Sequence, residues 1–77
     1  MINPEKRTII IAPSYKEAVL ARKAFCIKDA VCINDDQLEK VLGVSKTDTQ
    51  FLLVNGADGR AAEWVRNIWV PVIRVTL

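Results

Sequence analysis

The chain contains no histidine, which removes the commonest general base, the commonest zinc ligand and any serine triad built on an imidazole. Cysteine is nearly as scarce. Cys26 and Cys32 lie six apart, without the C-x-x-C spacing of redox or zinc sites. With Cys26 near an expected helix end and Cys32 inside an apolar strand, both read as buried, inert thiols. No G-x-x-x-x-G-K-[ST] loop occurs in the 77 residues, so a phosphate-cradling nucleotide site of that kind is not encoded. Excess charge is slight, with eleven basic residues against nine acidic for a net +2. At a pI of about 8.7, electrostatics alone demand neither nucleic acid nor an anionic membrane. Apolar runs such as residues 8–13 are too short to span a bilayer. The first seven residues are polar, unlike a signal peptide, and with so few cysteines this points to a cytoplasmic protein.

What the chain does have is apolar mass in short blocks. Half of the residues are apolar and a quarter charged, the composition of a globular domain and not of a disordered tail. Seventy-seven residues make one small domain, which buries only about 60–65% of its unfolded surface, so its own stability is modest and association would help it.

Start and stop signals divide the chain into alternating strands and helices. Thr8, Ile9, Ile10, Ile11 and Ala12 form a run without polar alternation, the pattern of a parallel strand buried on both sides. Pro13 ends it, and Ser14 with Glu17 has capping-box spacing for a helix reaching Phe25 or Cys26. Ala18, Leu20, Ala21, Ala24 and Phe25 share one arc of that helix, giving a small, alanine-rich inner face. A second strand is expected over residues 29–34, with Asp35 capping a short helix over 36–42. Leu38, Val41 and Leu42 supply its stripe, and Gly43 suits the left-handed position beyond its end. Residues 45–49 are polar linkage. A third strand spans 50–54, stopped by the turn at Asn55 and Gly56. Asp58 can cap a third helix over 59–67 whose stripe is Ala61, Trp64, Val65 and Ile68. The last strand covers 70–76, and Pro71 near its start favours an edge position.

This β-α-β-α-β-α-β order predicts an α/β sandwich of two or three layers around a four-stranded parallel sheet with three helices. Right-handed crossovers leave two arrangements open: strand order 2-1-3-4, which is favoured, or a simple sequential order with all helices on one face. Either order leaves too few helices to cover both faces. In the favoured one, the third and fourth strands are bare on the first helix's side. The residues expected to form the resulting interface are Phe51, Leu53, Trp69, Val70, Val72, Ile73, Arg74 and Val75. An exposed patch of several hundred Å² is the size at which a monomer gains by covering it. A homodimer or a larger protein partner would do so, either over the face or by pairing along the edge strand.

A second candidate lies at the switch point between the first and third strands, where folds of order 2-1-3-4 bind ligands. Two expected helix N-termini converge there, with Ser14, Tyr15, Lys16, Gly56, Asp58 and Arg60 around them. A phosphate or carboxylate would be favoured by the free amides. Lys16, Arg22 and Lys23 give the first helix a basic face beside Tyr15, a minimal kit for weak single-stranded nucleic-acid binding. The same residues also serve as caps, a turn and a solvated face, and Asp58 opposes an anion. Asp35, Asp36 and Asp58 are accounted for as caps and first-turn acids, so no metal or cofactor is expected.

Residues 9–18, IIIAPSYKEA, resemble the strand-and-helix segment of helicase-type ATPases whose loop touches the nucleic-acid backbone. Residues 51–58, FLLVNGAD, are similar to the strand that carries that family's metal-binding acids. Asn55-Gly56 stands where the paired acids would be. With no phosphate loop, the resemblance implies a cut-down, inactive relative, similar to small α/β proteins of bacteriophages, with Pro13, Ser14 and Lys16 as its backbone-contact loop. The expected function is therefore non-catalytic: association, as an accessory or inhibitor of a larger protein or as a homodimer. The alternative is a weak binder of anions or single strands.

Overall fold

The computed structural model describes residues 2–3, 5–44, 47–68 and 72–77. Its strands are β1 (Arg7–Ala12), β2 (Ala30–Asn34), β3 (Thr49–Val54) and β4 (Val72–Val75), and its α-helices are α1 (Tyr15–Ala24) and α2 (Arg60–Ile68). All pairings are parallel and the strand order is β2-β1-β3-β4, which excludes the sequential arrangement. The register aligns Ile9 with Val31 and Phe51, and Phe51 with Val72. Because side chains alternate across a strand, Ile9, Ile11, Phe51 and Leu53 join one core cluster with α2. Ile10, Ala12, Leu52 and Val54 join the other, with Ala18 and Ala21 of α1. The sheet is thus sandwiched between α1 on one face and α2 on the other. Burying an isoleucine, leucine or phenylalanine contributes roughly 1.5–3 kcal/mol each, so the unbroken apolar runs of β1 and β3 are what fix them as the two inner strands.

Two α-helices are present among the described residues where three were expected. The segment over 36–42 forms only a 3₁₀ turn, Leu38–Lys40. Its sequence supplies competing bonds: the Asn34 side chain accepts the Asp36 N–H at 2.9 Å, and the Gln37 side chain accepts the Asn34 N–H at 3.0 Å. Seven residues cannot outweigh such local alternatives, since helix nucleation is costly. The turn closes instead through Lys40 N–H to Gln37 O at 3.0 Å and Val41 N–H to Leu38 O at 3.1 Å. Val41 still reaches the core, while Leu42, expected in the buried stripe, is half exposed. Gly43 takes the anticipated left-handed conformation, at φ +78°.

Asp35 does not cap the turn that follows it, because its polar groups serve α2. Its carbonyl accepts the Ala61 N–H at 2.8 Å and its carboxylate accepts the Asp58 N–H at 3.2 Å. The β2 end and the α2 start are held so closely that a Cβ on Gly59 would lie 2.6 Å from the Asp35 carbonyl carbon. The start of α2 is therefore anchored beyond the end of β2, and Ala61, Ala62 and Val65 carry its buried face with Trp64 half-buried beside them.

The expected bare wall on the α1 side is smaller than helix counting suggests. Leu52 and Val54 are fully buried. An inner face of Ala18 and Ala21 lets α1 sit close to the sheet, and Ile2 and Ile27, from the segments outside the helix, pack against the same cluster. Counting helices leaves out such cover from loops. On α1 itself the buried face narrows to Ala18 and Ala21, while Leu20, Ala24 and Phe25 are exposed.

Candidate functional site

Of the residues expected at an interface, Phe51 and Leu53 have no surface to offer. They are 0% and 4% exposed, sealed in the cluster that includes α2 and Val41. Trp69 and Val70 lie outside the described residues, as does Pro71. The remaining four all belong to β4: Val72, Ile73 and Val75 are half-buried and Arg74 is exposed. What stays open is therefore a strand edge and not a sheet face. The Val75 carbonyl accepts the Asn55 N–H at 2.9 Å, so the backbone groups of Val75 face β3. Alternate residues direct theirs to opposite edges, which turns the N–H and carbonyl of Arg74 outward.

The switch-point constellation is brought together only in part. Ser14 caps α1 as expected, accepting the Glu17 N–H at 3.3 Å, but its hydroxyl then donates to Glu17 Oε2 at 2.9 Å. The other Glu17 oxygen accepts from Asn55 Nδ2 at 3.1 Å, and Asn55 Oδ1 accepts the Leu77 N–H at 2.7 Å. Asn55 and Gly56 occupy the tight turn at φ +53° and +68°, closed by Ala57 N–H to Val54 O at 3.1 Å. The crevice thus holds a carboxylate whose partners come from the chain itself, an arrangement that repels a phosphate. Tyr15 and Lys16 stand exposed at its rim.

Arg60 and Asp58 are directed elsewhere. Arg60 lies along α2 in a shallow depression with Leu38, Glu63 and Trp64. The Asp58 carboxylate pairs with Arg66 at 2.7 Å and leaves the helix uncapped by its side chain. That pair is largely exposed on the Asp58 side and contributes about 1 kcal/mol at most. Asp58 and Asp35 meet through the Asp58 backbone N–H, which the Asp35 carboxylate accepts. Among the described residues no group of three histidine, cysteine or acidic side chains could hold a metal, and no helix is long and apolar enough to cross a membrane.

The cysteines differ from the expected buried pair. Cys26 is exposed at the end of α1, with φ +53°, and Cys32 is half-buried in β2. Burial pushes the Cys32 thiol above the ordinary range, partly offset by the nearby Arg22 charge, so it stays protonated at neutral pH.

No family model, curated protein or solved structure matches the chain. The geometry alone therefore carries the functional argument. Within it, the Glu17–Asn55–Leu77 network and the Asp35 anchor are the features that the sequence did not announce. Their partners lie 38 and 23 residues apart, and only the folded sheet brings them together.

Proposed function

We propose that this protein is a non-catalytic interaction module that acts by association along β4. A second copy is the partner that the edge itself suits best, and a strand from a larger protein would use the same backbone groups. The observation that supports this reading is the contrast within the sheet. β1 and β3 are closed on both faces, whereas β4 presents β-branched side chains that are only half-buried and an outward-facing Arg74 backbone. A two-fold axis normal to the sheet would join two β4 strands antiparallel and extend four strands to eight. Four residues per copy form a contact smaller than the roughly 1,200 Å² of a standard interface, so the assembly is concentration-dependent and of modest affinity.

Replacing Arg74 by proline tests the reading selectively. Proline removes an N–H that points away from β3, and such an edge position tolerates it. The variant should fold, by circular dichroism, and remain monomeric at concentrations where the parent chain associates. A folded variant that associates as the parent does would exclude edge pairing. Binding of anions or single strands at Ser14, Tyr15, Lys16, Gly56, Asp58 and Arg60 is the other reading, and the dispersal of these residues and the Glu17 carboxylate count against it.

A further inference from the structure

Where the Asn55–Gly56 turn, the end of β4 and Arg66 of α2 come together, a cleft of about 390 Å³ opens. Leu53 and Ala57, both almost fully buried, close its base, and Arg66, Arg74, Val75 and Thr76 complete the lining. Two guanidinium groups on one small cleft need explanation, because like charges are not gathered for packing. Arg66 uses one Nη2 contact on Asp58, and a guanidinium carries five N–H donors. Arg74 has no ion-pair partner among the described residues. The residues that line the cleft include these two positive side chains and no acidic one.

We propose that this cleft binds a small organic anion, a carboxylate or phosphate carried on a compact apolar body. The arginine forks match the paired oxygens of either group, and the floor accepts the body. The volume lies at the lower end of the range for small-molecule sites, which excludes large ligands. The cleft is separate from the switch-point crevice, where Glu17 opposes an anion, and it does not depend on association. Arg74 contributes its side chain here and its backbone to the strand edge, so the two can be disabled independently.

Amide chemical shifts of the full chain, titrated separately with phenyl phosphate, benzoate and inorganic phosphate, test this. The expected result is saturable movement at Gly56, Ala57 and Thr76 with phenyl phosphate or benzoate, and a preference between the two identifies the head group. Inorganic phosphate, lacking the apolar body, should bind several-fold more weakly. Arg74→Gln, a change at an exposed site, should weaken binding about tenfold or more, the effect of losing one charge-assisted contact. Absence of saturable shifts at these amides in the parent chain overturns the proposal. So does equal binding by Arg74→Gln, or movement confined to the amides of Ser14 to Glu17.

Discussion

Replacing Gly59 by alanine should reverse the usual effect of that change. Gly59 does not occupy the left-handed region, so alanine is conformationally admissible and would ordinarily stabilise by about 0.4–1 kcal/mol through the unfolded chain. Here the added methyl would meet backbone. It would lie 2.6 Å from the Asp35 carbonyl carbon and 2.7 Å from Asp35 Oδ1, about 1 Å short of the 3.5–4.0 Å optimum between carbons. Relief requires α2 to withdraw from the β2 end, which breaks the Ala61 N–H bond to Asp35 O and the Asp58 N–H bond to its carboxylate. At roughly 1 kcal/mol for each bond, with added loss of packing under Ala61, Ala62 and Val65, the cost is about 2–4 kcal/mol. For a domain of this size that is a fall in Tm of roughly 10–25 °C. Urea denaturation followed by tryptophan fluorescence measures it. A control is Gly43→Ala, whose methyl meets nothing within 4 Å but whose φ is +78°, and which should cost only about 1 kcal/mol. A Gly59→Ala chain as stable as the parent, or more so, would refute the anchoring of α2 by Asp35.

Other consequences are equally open to measurement. Asn55→Ala removes the side-chain links to Glu17 and Leu77 and keeps the strained φ of +53°, for an expected loss of about 2–4 kcal/mol in chemical denaturation. Asn55→Gly loses the same links without the strain and should be the milder change by about 1 kcal/mol. The raised thiol of Cys32 binds its proton more tightly when folded, so its contribution to stability is complete below the unfolded thiol value and declines as pH rises through the folded one. Cys32→Ala should flatten the alkaline slope of stability measured by urea unfolding above about pH 8.5. Ile73→Asp places a charge on the half-buried α1 side of β4 and should lower the solution mass of an associating sample by at least half its excess over monomer, provided circular dichroism shows the variant folded.

The parts of the fold legible in the sequence are those set by neighbouring residues. Ile9 to Ile11 and Phe51 to Val54 lack polar alternation because both of their faces are buried. Ser14 and Glu17 are three apart and form the α1 cap within one turn. Crossover handedness narrowed the strand order to two arrangements once the elements were placed, and the structure has the favoured 2-1-3-4. Long-range polar contacts are where local reading fails. Asp35 precedes a helix-like stripe and resembles a cap, yet α2, more than twenty residues later, takes both its carbonyl and its carboxylate. Asp58 likewise resembles a cap until Arg66, two turns along the helix, reaches back to it. The interface expectation failed at Phe51 and Leu53 for a related reason: alternation assigns a side chain to a face but not to the element that covers it. Gly56 was legible as a turn residue, while the cleft it borders joins Arg66 of α2 and Arg74 of β4, which only the folded chain brings together.

Association along β4 is tested most directly by the solution mass of the parent chain, measured by light scattering over a hundredfold range of concentration. Edge pairing predicts a rise from 8.6 kDa toward twice that mass, levelling there, since a two-fold contact closes on itself. A mass that stays at 8.6 kDa throughout, or one that climbs past the dimer without levelling, would contradict it.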